Sequence, residues 1–305
     1  MIWGAVIVAA GRGTRFGRPK QLIELGGKPL VAWSIEMFAA MPEIVDLVVV
    51  TEPEFIEAME TVVRPRVGSL GVAVVRGGNT REHSVRAGLA ALPAHCAGIL
   101  VHDGARPLVR SQDIRAGMRV VRPGTASLLA TPAVDTMKVV DGEQKVMRTL
   151  ARATLWAAQT PQFAAGADLR RAHAEAQRHH WPASTDDAAL LERAGIDVIV
   201  VPGSPDNFKV TVPGDIARAE ALLRYRVPLP ADEEVLVVEC FVEARAVDNI
   251  LAELESRHAR IDGIDRDLPA AVAIRAHVDP ENLRGFGRRL HALAGEGAIF
   301  TSHVS

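Results

Sequence analysis

Residues Val8 to Lys20 read Val-Ala-Ala-Gly-Arg-Gly-Thr-Arg-Phe-Gly-Arg-Pro-Lys and directly follow an apolar run. Small residues let backbone N–H groups approach an anion closely. Arg12, Arg15, Arg18 and Lys20 bring positive charge to the same short stretch, and guanidinium and ammonium groups neutralise phosphate. The bend predicts a nucleoside triphosphate site. Two common phosphate loops are excluded. A dinucleotide fingerprint starting at Gly11 needs Gly at position 16, which is Phe16, and no Gly-Lys-Ser/Thr tripeptide occurs. The competing reading is an ordinary strand-to-helix turn bearing surface arginines.

Such a bend needs a strand behind it and a helix ahead. Strands are expected at Ala5–Ala9, Leu47–Thr51, Val72–Arg76, Gly98–His102, Ser127–Pro132 and Asp197–Pro202. Helical patterns between them include Leu30–Met41, Ser84–Leu92 and Leu169–Arg178. This alternation predicts an α/β fold, a parallel sheet with helices on both faces. Ligands of such sheets sit at the carboxyl ends of the strands. Gly77–Ser84 and Asp103–Pro107 fall at those ends, as does the first bend. Thr136–Leu155 reads differently. Val139-Val140 precede Asp141-Gly142, a hairpin signal, so a β-arm projecting over about 134–156 is expected. An apolar arm needs cover, which implies a homodimer.

The chain has 305 residues, enough for two domains. Apolar residues make up 48% but aromatics only 4%, so the core must be built mainly from Val, Leu, Ile and Ala. The formal charge of −2 argues against general nucleic-acid binding without excluding a local phosphate site. Cys96 and Cys240 are far apart and read as reduced thiols. The N-terminus lacks the pattern of a signal peptide, and no apolar run reaches ~18 residues. A cytoplasmic protein without a membrane helix is expected.

The first unit is expected over 1–226, and Tyr225–Pro230, with two prolines, reads as a stiff linker centred on 227–232. A second unit, 233–305, follows. Its expected strands and helices are Val235–Val242, Val247–Arg257, Ala259–Asp265, Ala270–Val278, Glu281–Ala294 and Ala298–His303. This β-α-β-β-α-β order predicts a small ferredoxin-like α+β domain.

Motifs in one order run through the first unit: Ala9-Ala10-Gly11-x-Gly13-x-Arg15, Pro19-Lys20-Gln21, Gly77-Gly78-x-x-Arg81-x-x-Ser84-Val85, His102-Asp103-Gly104-Ala105-Arg106-Pro107, Asp135-Thr136-Met137-Lys138, Thr160-Pro161-Gln162-Phe163, Thr185-Asp186-Asp187 and Asn207-Phe208-Lys209-Val210-Thr211. On these motifs the unit resembles the 2-C-methyl-D-erythritol 4-phosphate cytidylyltransferases. The resemblance implies a mostly parallel, Rossmann-like nucleotidyltransferase sheet with a projecting β-arm. It implies transfer of a cytidylyl group from CTP to methylerythritol phosphate, with pyrophosphate released, in the non-mevalonate route to isoprenoid precursors. Mg²⁺ would be carried mainly by the CTP phosphates, with no protein metal ligands assigned. Attack of one phosphate on another asks the catalyst for positive charge and alignment more than for a strong base.

The resemblance implies catalytic roles for Arg15, Lys20 and Lys209. Ala9, Ala10, Gly11, Gly13, Gly78, Asn79, Ser84, Asp103 and Gly104 would hold the nucleotide. Arg106 would take the methylerythritol phosphate, with Thr136, Arg152 and Thr160 as further substrate contacts, Thr136 and Arg152 coming from a partner's arm. The family often has Asp where Asn79 stands, and Gly104 replaces a frequent Ala. Plainer readings stand beside these. Lys209 and Arg152 could be solvated surface cations, Asp103 a turn residue and Ser84 a helix N-cap. His179-His180 lacks companions at zinc-ligand spacing and reads as a helix-end pair. Asp186-Asp187 reads as a helix cap.

The second unit resembles the C-terminal ferredoxin-like domain of elongation factor G on Leu251-x-x-Leu254-x-x-Arg257-x-x-x-Ile261-x-Gly263, Ile274-Arg275-Ala276-x-Val278, the stretch from Phe286-Gly287 to Leu290 and Gly295-x-Gly297-x-x-x-Thr301. No GTPase motif accompanies it. Packing, partner or ligand sensing and RNA contact stay open for this domain, whose partner is unassigned. The rival functions are a cytidylyltransferase for another polyol phosphate, such as ribitol 5-phosphate, and a nucleotide-sensing regulatory protein.

Overall fold

A computed structural model describes residues 1–11, 19–224, 236–266, 268, 271–278, 282–283, 285–295 and 297–304. The chain divides into two units, Met1–Glu220 and Ala221–Ser305. The division falls a few residues before the expected linker, which lies outside the described residues.

The first unit is built on β1 (Trp3–Val8), β4 (Ile44–Thr51), β5 (Gly71–Arg76), β6 (Gly98–Asp103), β7 (Thr125–Pro132), β10 (Trp156–Ala165) and β11 (Asp197–Pro202). They form one sheet in the order β11-β7-β10-β6-β1-β4-β5. All pairs are parallel except those of β10, which runs antiparallel to both β6 and β7. Two short strands, β2 (Glu24–Leu25) and β3 (Lys28–Pro29), pair with each other before α1 (Leu30–Ala39). The remaining helices of this unit are α2 (Ile56–Val63), α3 (Arg81–Ala91), α4 (Ser111–Val120), α5 (Gly166–Arg178) and α6 (Asp187–Arg193), and α7 (Gly214–Arg224) spans the boundary between the units.

The strands alternate sides with period two, and so fill two cores. Trp3, Ala5 and Ile7 of β1, Leu47 and Val49 of β4 and Leu100 of β6 pack with Val31, Ile35 and Phe38 of α1, Met59 of α2 and Ile114 of α4. Val6, Val48, Val50, Ile99 and Val101 face the other way, against Val85 and Leu89 of α3, Leu169 and Ala172 of α5 and Leu190 of α6. Each large side chain buried here contributes roughly 1.5–3 kcal/mol. The strand order turns at β1: β4 and β5 lie on one side of it and β6 on the other. That reversal opens a crevice at the carboxyl ends of β1 and β6.

The expected arm is present as β8 (Lys138–Val140) paired antiparallel with β9 (Val146–Thr149). Its tip is longer than the two-residue Asp-Gly turn expected. Asp141 and Lys145 close it by a backbone bond, Oδ1 of Asp141 accepts from Glu143 N and Lys145 N, and Gln144 takes a φ of 64°.

The second unit runs β12 (Leu236–Val242), α8 (Val247–Ser256), β13 (Arg260–Asp265), β14 (Val272–Val278), α9 (Phe286–Ala294) and β15 (Ile299–Val304). Its sheet order is β13-β14-β12-β15, with every pair antiparallel. Val238, Cys240, Ile274 and Ala276 pack with Ile250 and Leu254 of α8 and with Phe286 and Leu290 of α9. Helix α9 starts later than expected, because Gly285 takes a left-handed φ of 74° just before Phe286.

Candidate active site

Asp103 ends β6 and is the hub of the crevice. Lys209, from the loop after β11, donates from Nζ to Asp103 Oδ2 at 2.8 Å. Arg81, at the start of α3, donates from Nε to Asp103 Oδ1 at 3.4 Å and from Nη1 to Asp187 Oδ2 at 2.8 Å. Arg106 Nε lies 3.8 Å from Asp103 Oδ2. Burial works against the Asp103 carboxylate. Arg81, Lys209 and Arg106 outweigh that cost and hold its pKa well below the usual carboxylate range. Behind Arg81, His173 Nε2 reaches Asp187 Oδ1 at 3.0 Å. Asp187 is likewise kept ionised against its burial, by Arg81 and His173.

Lys209 is held by its own loop. Val210 N donates to Ala105 O at 2.8 Å, and Arg106 Nη1 donates to Asn207 O at 2.7 Å. Buried Asn207 donates from Nδ2 to Thr160 O and Gln159 Oε1. Lys20 comes from the far end of the glycine-rich bend and donates from Nζ to Val210 O at 3.0 Å. Cations from three distant stretches of the chain, Lys20, Arg106 and Lys209, therefore share one crevice.

Thr160 sits where β10 departs from its ladder. Ala158 pairs with Ala130 and Gln162 with Leu128, so four steps along β10 face two along β7. This bulge aims the Thr160 hydroxyl at β6. It accepts from Asp103 N at 2.9 Å and meets His102 Nδ1 at 3.1 Å. The second ring nitrogen, Nε2, faces Arg106 O at 3.1 Å and must donate to it. Nδ1 then accepts the Thr160 proton in a neutral ring. Burial drives the His102 pKa down to about 4, which agrees with that tautomer.

The bend after β5 explains its glycines. A β-carbon at Gly77 would lie 2.4 Å from Ala10 Cβ, so the two glycine-rich bends touch. Ser84 is fully buried and ties this loop together: its hydroxyl accepts from Gly78 N and donates to Thr80 O. Ser84 is not the N-cap weighed for it; Thr80 caps α3 by accepting from His83 N.

Of the expected site residues, Ala9, Ala10, Gly11, Lys20, Gly78, Asn79, Ser84, Asp103, Gly104, Arg106, Thr160 and Lys209 cluster at these strand ends or on the bonds just described. Gly13 and Arg15 lie outside the described residues. Thr136 and Arg152 are exposed on the arm, where Arg152 donates to Val134 O. Asp186 caps α6 as expected, but Asp187 belongs to the Arg81 network. Arg81, Asp187 and His173 were not read from the sequence as site residues. Arg81 and Asp187 are 106 positions apart, and no local pattern links them. His179 and His180 are exposed beyond the end of α5.

A mostly parallel sheet whose strand ends gather glycine-rich bends and three cations around one carboxylate is a nucleotidyltransferase fold. The family model for 2-C-methyl-D-erythritol 4-phosphate cytidylyltransferase (IspD) matches residues 3–225. A cytidylyltransferase of that name from Prochlorococcus marinus is 42% identical over 227 residues, covering 72% of this chain and 98% of the relative. One from Halalkalibacterium halodurans is 41% identical over 225 residues, with 73% and 97% covered. The crystal structure of 4-diphosphocytidyl-2C-methyl-D-erythritol synthase from Anaerococcus prevotii superposes with a TM-score of 0.65 at 28% identity, covering 73% of this chain and 96% of that one. The chain belongs to the 2-C-methyl-D-erythritol 4-phosphate cytidylyltransferase family. The family match stops before the second sheet begins.

Proposed function

We propose that the first unit transfers the cytidylyl group of CTP to 2-C-methyl-D-erythritol 4-phosphate, in isoprenoid precursor synthesis. A phosphate oxygen of the acceptor forms a bond to the α-phosphorus of CTP as the bond to the β-phosphate oxygen breaks, and pyrophosphate leaves. The observation that carries this reading is the meeting of Lys20, Arg106 and Lys209 at the β1/β6 crevice. Positive charge fixed in a partly desolvated site stabilises the charge that builds up in such a displacement.

The bends at Ala9–Gly13 and Gly78–Asn79 would cradle the nucleotide. Ser84, already spent on the loop, would shape the cytosine pocket by holding Gly78. Arg15 and Lys20 would grip the triphosphate. Lys209 and Arg106 would align the acceptor phosphate, and Asp103 would orient both cations and the ribose with Gly104. Among the described residues, Arg106 Nε and Arg81 Nη2 are buried without a hydrogen-bond partner, which suits a site built to receive an anion. Asp103 is the carboxylate of the crevice and is already bonded to Lys209 and Arg81, so it does not suit a protein metal ligand. Mg²⁺ would enter on the CTP phosphates and offset their charge there.

The arm would pair two copies, so that Thr136 and Arg152 complete the partner's site. The second unit is read as a ferredoxin-like domain resembling that of elongation factor G. Its element order and its strand order, β13-β14-β12-β15, support this reading. It would act as an accessory module. No described helix is long and apolar enough to cross a membrane.

The test is pyrophosphate release by the purified full chain with CTP, Mg²⁺ and either methylerythritol phosphate or ribitol 5-phosphate. Release with the first acceptor is expected. Release with only the second would assign another polyol phosphate. CTP binding without release from either would leave a nucleotide sensor.

A further inference from the structure

Asp46, His95 and Cys96 meet at the end of the central sheet opposite the crevice. Asp46 lies near the start of β4, beside Gly4 of β1 and Gly71 of β5. His95 and Cys96 belong to the turn between α3 and β6. His95 Nε2 is 2.7 Å from Asp46 Oδ2, and Cys96 Sγ donates to the same oxygen at 3.4 Å. The three ligand atoms all lie within 4.8 Å of one another.

The neighbouring strands leave room for this group. A β-carbon at Gly71 would fall 2.3 Å from Asp46 Oδ1, and one at Gly4 would fall 2.9 Å from Cys96 Sγ. The thiol is 2% exposed and the imidazole side chain 59% exposed, so the cluster is anchored on one side and open on the other. A thiol, an imidazole and a carboxylate form the mixed sulfur, nitrogen and oxygen donor set that suits Zn²⁺. Among the described residues the crevice shows no such set: Asp103 is engaged by cations. Cluster and crevice are separated along the sheet, because β6 begins at Gly98, two residues after Cys96, and ends at Asp103.

We propose that Asp46, His95 and Cys96 form a Zn²⁺ site with one position left for water, fastening the turn before β6 to β4. Cys96 Sγ gives its proton to Asp46 in a hydrogen bond, so the metal must displace a thiol proton when it binds.

The test uses the full chain, stripped with a chelator and titrated with Co²⁺ and then Zn²⁺. The expected result is a thiolate-to-cobalt absorption band that saturates at one equivalent and is displaced by Zn²⁺. The band should vanish in Cys96→Ser. His95→Ala, an exposed change that spares the core, should weaken binding by at least about tenfold. Zn²⁺ should raise the melting temperature of the wild type most, that of His95→Ala less and that of Cys96→Ser least. Pyrophosphate release should be the same in all three proteins. No thiolate band in the wild type, or a band that survives Cys96→Ser and so arises from Cys240, would overturn the proposal, as would equal binding by His95→Ala.

Discussion

Lys209 and Asp187 do different work for the same carboxylate network. Lys209 is partly exposed at the crevice, so its removal should strip charge from the reaction with little effect on folding. Lys209→Ala is expected to lower turnover by about 10²-fold or more, with an unchanged circular dichroism spectrum. Full activity in that variant would remove Lys209 from the mechanism. Asp187 is wholly interior, and its loss leaves the Arg81 guanidinium without its nearest counter-charge. Breaking a buried pair of this kind costs about 3–5 kcal/mol, which urea unfolding of Asp187→Asn would register. The pH dependence follows from the direction of each shift. His102 is held neutral when folded, with a pKa of about 4, so stability should fall as pH drops from about 6.5 toward that value. Asp103 and Asp187 have depressed native pKa values. Their contribution is complete above about pH 4 and is lost as pH falls through those native values. Asp187→Asn should flatten this lower limb and leave the upper one, measured as unfolding free energy against pH. At this scale the sequence marked Lys20, Asp103, Arg106 and Lys209 as candidates, because each stands in a short motif, and the fold brings them together. It did not show the role of Arg81, whose motif is visible but whose partner Asp187 is fixed only by how α6 packs beside α5 and β7.

Elements explain the next layer. The parallel strands were legible as short apolar runs, since both faces of the sheet are covered. Strand β10 was not: Pro161 interrupts Trp156–Ala165, and proline inside a run argues against a strand. The bulge accommodates that residue and turns Thr160 toward Asp103. The arm was legible from its turn residues, although its tip proved to be a wider loop closed by Asp141. The arm and its base expose Val134 at 79%, Met147 at 63% and Trp156 at 42%. If a second copy covers them, Met147→Asp should shift sedimentation from dimer to monomer and lower turnover in step. A dimer unaffected by that change would exclude this part of the arm from pairing.

Across the whole chain, the two units have separate cores. Cluster and crevice both lie in the first, and the family match covers that unit. A chain ending at residue 225 is expected to release pyrophosphate from CTP and methylerythritol phosphate, while residues 233–305 alone should give no calorimetric response to CTP. Loss of solubility in the shorter chain would instead assign the second unit a packing role. The β-α-β-β-α-β succession of that unit was readable because short apolar runs such as Leu236–Val242 and Val272–Val278 alternate with helical stretches, whereas no clustered polar motif points to a task for it. Strand β10 ties the distant parts of the first unit together. Trp156 stands at the foot of the arm, Thr160 touches the backbone of Asp103, and Phe163 fills the core. One strand therefore carries the foot of the arm, the hydroxyl that meets the hub and a ring of the core, so a second copy seated on the arm would stand a few residues along that strand from the contact with Asp103, whose carboxylate gathers the cations.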